Sequence, residues 1–108
     1  MEDTAKSNLA IDLATLLQEH NGSETVVLDI RDQSSWTDFF VITTATSATH
    51  MQGLARYIRD FLKEHSIQPR HHRKKIEDDS WLLIDCGDIV IHVMSEEARA
   101  FYELERLW

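Results

Sequence analysis

The segment from Ser80 to Trp108 reads SWLLIDCGDIVIHVMSEEARAFYELERLW, and its pattern of apolar and polar residues indicates the fold class. Two apolar runs, 80–86 and 88–94, are separated by Gly87, which predicts a hairpin of two antiparallel strands. Ser95 follows as the N-cap of a last helix, where Glu96 and Glu97 suit the positive end of the helix dipole. A strand pair that leads directly into a helix indicates an α/β protein.

The predicted hairpin has two chemically different faces. With Cys86-Gly87 as the turn, we expect three opposed pairs, Asp85 with Asp88, Leu83 with Val90 and Trp81 with His92. One face is purely apolar and belongs to the core: Leu82, Ile84, Ile89, Ile91 and Val93. The other face, which we call the mixed face, carries Trp81, Leu83, Asp85, Asp88, Val90, His92 and Met94. A different turn length would change this grouping.

Two interpretations of the mixed face stay open at this point. It is either a half-covered sheet surface with amphipathic side chains, or a recognition patch, because Trp and Met are enriched at interfaces. Asp85 and Asp88 also raise a catalytic alternative, a metal-dependent nucleotidyltransferase-like enzyme. Such an enzyme needs a donor-rich loop for the triphosphate, and the three glycines are isolated from one another. We therefore expect structural or interface carboxylates and no enzyme.

The upstream sequence completes the order helix, strand, strand, helix, strand, strand, helix. The predicted elements are a helix over 5–20 ending at Asn21-Gly22, strands over 24–31 and 39–46, and a helix over 48–65 capped by Ser47. Residues 66–80 read as a connector, with room for one short strand. We expect a single domain over residues 1–108, built on a mixed β-sheet of four to five strands flanked by helices.

Composition narrows the function. The chain of 108 residues carries a formal charge of −8, which suits a basic protein partner and makes direct RNA contact at most minor. No apolar run approaches the roughly 20 residues that span a bilayer, so we expect a cytoplasmic protein. One cysteine, Cys86, and six histidines without paired spacing predict no metal site and no cofactor. The basic run Arg70 to Lys75 suits either RNA phosphates or a solvated loop, and the pattern does not separate the two.

Three stretches resemble the ribosomal silencing factor family, RsfS, also called Iojap. They are the opening helix, SSWTDFFVITTATSATHMQGLARYI from Ser34 to Ile58, and the segment from Asp79 to Trp108. The last contains Trp, aliphatics, Asp-x-Gly-Asp, aliphatics and His-Val, and ends in Phe-Tyr-x-Leu-Glu-x-Leu-Trp. The matching motif singles out Trp81, Asp85, Gly87, Asp88, His92 and Val93.

The resemblance implies a nucleotidyltransferase-like fold without catalytic activity. It also implies binding to the large ribosomal subunit through ribosomal protein L-fourteen, a steric block to joining of the small subunit, and repression of translation when nutrients are scarce. A homodimer is implied for the free protein. An assembly factor for the large subunit is the alternative that uses the same surface. We expect Trp81, Leu83, Asp85, Asp88, Val90, His92 and Met94 to contact the partner; the roles of Trp36 and Trp108 stay open.

Overall fold

A five-stranded mixed sheet with helices on both faces forms the protein. The computed structural model describes residues 2–70, 74–76 and 80–107. The elements are α1 (Glu2–Glu19), β1 (Ser23–Asp29), β2 (Phe39–Ala45), α2 (Ala48–Glu64), β3 (Lys74–Ile76), β4 (Trp81–Asp85), β5 (Ile89–Ser95), α3 (Glu96–Tyr102) and α4 (Leu104–Leu107). The predicted α/β class and element order are confirmed, and β3 is the short strand for which the connector had room.

The strands lie in the order β1-β2-β5-β4-β3. The central pair, β2 and β5, is parallel, and every other neighbouring pair is antiparallel. All seven residues of β2 are buried, as expected for a β-branched and aromatic strand covered on both sides. The last strand in the sequence therefore lies in the middle of the sheet.

The main core lies between the sheet and the first two helices. Its members come from α1, α2 and one face of the strands: Ala10, Leu13, Leu17, Met51, Leu54, Ile58, Val41, Leu82, Ile84, Ile91 and Val93 among others. The five residues predicted for the apolar hairpin face all belong to it. We call this side of the sheet the helical face.

Local signals place the helix ends. The hydroxyl of Ser47 accepts the His50 N–H at 3.0 Å, and that of Ser95 accepts the Ala98 N–H at 3.0 Å, which confirms both predicted N-caps. Asn21, with φ of 70°, turns the chain after α1, and Gly22 packs tightly, with its N–H donating to Leu17 O at 2.7 Å. In the described residues, no helix is long and apolar enough to cross a membrane.

The last helix differs from the prediction of one continuous element. Glu103 adopts a left-handed conformation, with φ of 45°, and separates α3 from α4. A left-handed residue cannot continue an α-helix, so the chain changes direction there. Both α3, through Ala98, and α4, through Leu104, pack over the side of the sheet opposite α1 and α2.

Candidate functional site

The hairpin presents the predicted mixed face on the side of the sheet opposite α1 and α2. Strand alternation puts Val90 and Met94 into a second core cluster, with Trp81 and Leu83 packed against its edge. That cluster shares no member with the core under α1 and α2. The predicted division of the hairpin into two faces is therefore confirmed.

The predicted register of the hairpin is wrong by two residues. Trp81 lies opposite Met94, Leu83 opposite His92 and Asp85 opposite Val90. The two-residue turn is Gly87-Asp88, closed by the Cys86 N–H donating to Ile89 O at 2.9 Å. Gly87 has φ of 88°, which favours glycine as the first residue of the turn. An even shift leaves the paired strand residues on their predicted faces, so the opposed pairs change and Asp88 moves from the mixed face into the turn.

Asp85 and Asp88 have separate structural partners. Asp85 Oδ1 accepts the Gly87 N–H at 2.8 Å and so stabilises the turn. Asp88 lies in that turn, and its carboxylate is 3.4 Å from the ammonium of Lys6 on α1. Within residues 2–70, 74–76 and 80–107, no three His, Cys, Asp or Glu side chains are grouped so that they could hold a metal ion. The geometry thus assigns turn and helix contacts to the two carboxylates.

Three of the seven residues expected to contact a partner are covered. Val90 and Met94 are fully buried, and His92 is 3% exposed. They lie beneath α3 and α4, which contribute Ala98 and Leu104 to the same cluster. The sequence pattern predicted surface positions here because it does not show that the chain packs back over this face. In this structure the three residues support the surface from below.

His92 supports Trp81 directly. The indole Nε1–H of Trp81 donates to His92 Nδ1 at 3.0 Å, so the imidazole carries its proton on Nε2. The ring of Phe40 packs edge-on against His92 at a centroid distance of 4.6 Å. Burial lowers the pKa of His92 to about 4, which keeps the imidazole neutral near pH 7. His92 Nε2 is buried and has no hydrogen-bond partner among the described residues.

Exposed aromatic side chains lie next to this supported tryptophan or next to rings that contact it or its support. Phe101 is 78% exposed, Trp36 53% and Tyr102 42%. The rings of Tyr102 and Trp81 pack with their centroids 4.7 Å apart, and the ring centroids of Trp36 and Phe40 are 6.2 Å apart. We call Trp36, Trp81, Phe101 and Tyr102 the aromatic patch. Sequence reasoning missed Phe101 and Tyr102, because an apolar pair on a short helix looks like core until the break at Glu103 is known.

A groove of about 850 Å³ continues the aromatic patch. It runs between α3 and the start of β4, and its lining combines apolar and polar side chains: Ser80, Ser95, Glu97, Ala98, Ala100, Phe101 and Tyr102. Glu96, Glu97 and Glu103 are exposed on or beside α3. The combination of exposed rings and carboxylates suits a protein partner with basic side chains.

Arg99 holds α3 and α4 against the sheet. Its guanidinium donates to Glu105 Oε2 at 2.7 Å, to Thr44 Oγ1 at 2.8 Å and to the Glu24 carbonyl at 2.7 Å. The hydrogen bond from Arg99 lowers the pKa of the Glu105 carboxyl. This arginine is 7% exposed, and a single Arg on a predicted helix offers no sequence signal for such a role.

The basic run from Arg70 to Lys75 is described only in part. Arg70 donates its backbone N–H to Asp85 O at 2.7 Å, and Lys74 and Lys75 belong to β3 beside β4. Residues 71–73 lie outside the described residues, as does Trp108. The choice between RNA contact and a solvated loop for this run stays a prediction.

Comparisons with known proteins agree with one another. A family model described as "RsfS: Ribosomal silencing factor during starvation" matches residues 2–108. The chain is 32% identical to the ribosomal silencing factor RsfS of Bacillus subtilis, over 88% of this chain and 80% of that protein. It is 35% identical to the mouse "Mitochondrial assembly of ribosomal large subunit protein 1", over 89% of this chain but only 43% of the relative.

A solved structure shares the architecture. A crystallised protein from Chromobacterium violaceum superposes with a TM-score of 0.84 at 30% identity, covering all of this chain and 87% of that one. The family match spans almost the whole sequence, and relatives of similar length share about a third of its residues. The chain therefore belongs to the RsfS (Iojap) family of ribosomal silencing factors.

Proposed function

We propose that this chain is a non-enzymatic repressor of translation that binds the large ribosomal subunit. In this proposal it docks on ribosomal protein L-fourteen and blocks joining of the small subunit under nutrient limitation. The family and the names of its relatives support a role at the ribosome. The cytoplasmic location and the homodimer of the free protein belong to the same proposal; one relative, from maize, is named as chloroplastic.

The aromatic patch is the observation that carries the proposal. Large amphipathic rings with exposed area are typical anchors of protein interfaces, and such anchors supply most of the binding energy. Trp81 is pre-positioned by its hydrogen bond to His92, which reduces the entropy that binding must remove. The exposed carboxylate of Glu97, in the groove beside the patch, would attract a basic ribosomal protein.

The predicted contact set changes in the light of burial. Trp81, Leu83 and Asp85 are half-buried and Asp88 is exposed, so these four remain direct contacts in the proposal. Val90, His92 and Met94 act through them from below. Trp36, Phe101 and Tyr102 join the contact surface because they extend it with exposed area.

Subunit joining tests the mechanism. Purified large and small subunits are mixed with and without this protein, and association is followed by light scattering. Tyr102→Ala and Tyr57→Ala form a matched pair, since both rings are 42% exposed but Tyr57 lies on α2, across the sheet. We expect the wild type and Tyr57→Ala to block joining, and Tyr102→Ala to block it less well.

Binding to isolated L-fourteen tests the partner. Trp81→Ala should weaken the complex by about 2 kcal/mol or more, roughly 30-fold in Kd, if the indole is an interface anchor. Asp88→Lys should slow association and change its salt dependence. Unchanged affinity for both Trp81→Ala and Tyr102→Ala would remove the aromatic patch from the site.

Assembly of the large subunit is the second candidate, favoured by the name of the mouse relative. It uses the same surface at a different stage. Binding to the large subunit with normal joining in the light-scattering assay would favour assembly over silencing. Absence of binding to the large subunit would refute both.

A further inference from the structure

Three exposed cations form a stripe on α2, on the helical side of the molecule. Arg56, Arg59 and Lys63 are spaced by three and four residues, which places them on neighbouring turns of one helix face. All three are exposed. Within the part of the chain that the structure describes, none of them has a carboxylate within 4.0 Å. Their charge is therefore available to a ligand.

The stripe ends at a groove of about 450 Å³. After α2 the chain reverses at Ser66, which has φ of 56°, and the Ile67 N–H donates to Leu62 O at 2.8 Å. This helix-terminating motif brings residues 67–69 alongside the last turn of α2. The lining is an apolar set with a polar rim: Leu62, Ile67 and Pro69, with Arg59, Lys63, Ser66 and Gln68.

We propose that the stripe and its groove bind one segment of single-stranded RNA. Arg56, Arg59 and Lys63 would neutralise successive phosphates, because an arginine fork matches phosphate oxygens and lysine supplies a point charge. The apolar wall would take one unpaired base, and the Gln68 amide, which both donates and accepts, suits its polar edge. An acidic peptide fits less well, since it does not bring a flat apolar ring with each charge.

The net charge of −8 does not prevent such a contact. Electrostatic interactions between exposed charges fall off over about 8 Å at physiological salt, whereas the molecule measures 37 × 30 × 24 Å. The glutamates on and beside α3 lie across the sheet from α2. On α2 itself the three cations outnumber the two carboxylates of Asp60 and Glu64, so the helix carries a net charge of +1. The resulting affinity is weak and auxiliary.

Fluorescence anisotropy with a labelled, short oligouridylate tests the proposal on the whole protein. Three phosphate contacts predict a slope of log K against log salt of about −2, or a loss of affinity of roughly 20-fold between about 50 and 200 mM salt. Arg59→Gln should reduce the slope by about 0.7, and the triple change of Arg56, Arg59 and Lys63 to Gln should abolish measurable binding. Arg106→Gln, an exposed arginine on α4, should leave both values unchanged.

Gln68→Glu tests the groove separately, because it adds one negative charge at the rim with almost no change in volume. It should weaken RNA binding several-fold without altering the fold measured by circular dichroism. Equal affinity of the wild type and the triple variant would overturn the proposal. Equal competition by poly-glutamate of matched charge, or equal affinity for duplex RNA, would overturn the base-binding groove.

This inference does not depend on the proposed function. The stripe lies on the helical side, whereas the aromatic patch lies on the opposite side of the sheet. If the wild-type protein blocks subunit joining but does not bind RNA, only the RNA-binding inference is rejected. If the wild-type protein binds RNA but does not bind L-fourteen, only the proposed function is rejected.

Discussion

Acidification should destabilise this fold through His92. Burial lowers the pKa of His92 from 6.5 to about 4. As the pH falls below about 6.5, the unfolded chain takes up a proton at this position while the folded chain stays neutral. The unfolded state therefore binds more protons, and the free energy of unfolding decreases. The stability that the fold gains from a neutral His92 is fully present above pH 6.5 and is lost progressively as the pH falls toward 4.

The magnitude follows from the two pKa values. Each unit of difference corresponds to about 1.4 kcal/mol, so the limiting effect is roughly 3 kcal/mol. Over the interval from about pH 7 to pH 5, the linkage relation gives about 2 kcal/mol. A loss of that size is a substantial part of the free energy of unfolding of a small domain, which is typically about 5–15 kcal/mol. Asp29 and Glu105, whose carboxyl pKa values are lowered by hydrogen bonds from Arg31 and Arg99, titrate at lower pH.

Urea denaturation at several pH values between about 7 and 5 measures the effect. His92→Gln removes the titrating ring, while its amide oxygen can still accept the Trp81 indole N–H. The stability of this variant should fall less steeply with pH than that of the wild type, by about 2 kcal/mol over the interval. His65→Gln, at an exposed histidine, is the control and should retain the wild-type dependence. Parallel curves for the wild type and His92→Gln would refute the assignment.

Three further substitutions test the packing of the fold. Gly53→Ala should raise the free energy of unfolding by up to about 1 kcal/mol, because alanine favours a helix interior more than glycine does. The added Cβ would meet no neighbouring atom within 4 Å, and a lower Tm would show that this surface is covered. Gly22→Ala should lower it by at least about 2 kcal/mol, because the Cβ would lie 2.8 Å from the Leu17 carbonyl oxygen; an unchanged urea midpoint would contradict this. Arg99→Met should cost about 3 kcal/mol by leaving the Thr44 hydroxyl and the Glu24 carbonyl without their donor, and Glu105→Gln should cost less; equal midpoints for both would refute the central role of the guanidinium.

The spacing of apolar residues along the helices and strands, together with the helix N-caps, was sufficient to predict most of the fold. The alternation of β4 and β5 predicted which side chains enter the main core, and Ser47 and Ser95 marked two helix starts. The predicted hairpin register was wrong because the two-residue turn begins one residue later than expected, and its position depends on the positive φ at Gly87, which the sequence alone does not report.

The candidate site was harder to predict than the fold. Trp81 could be singled out from its residue type and its motif. The burial of His92 and Met94 could not be predicted from the sequence, because it depends on α3 and α4 packing over the sheet. The left-handed Glu103 redirects α4, and Arg99 ties α3 to the sheet by bonds between residues far apart in the sequence.

The position of β5 determines when the sheet can be completed during synthesis. Phe39 lies opposite Ile89, so the central parallel pair closes over an offset of 50 residues. A nascent chain that has emerged only as far as α2 holds β1 and β2 as a two-stranded ribbon, which is marginal by itself. The strand that joins this ribbon to the rest of the sheet, β5, is made only after α2, β3 and β4. The two strands made first therefore lack their central partner until β5 has been synthesised, and only then can the protein adopt the fold with which we propose it binds the large subunit.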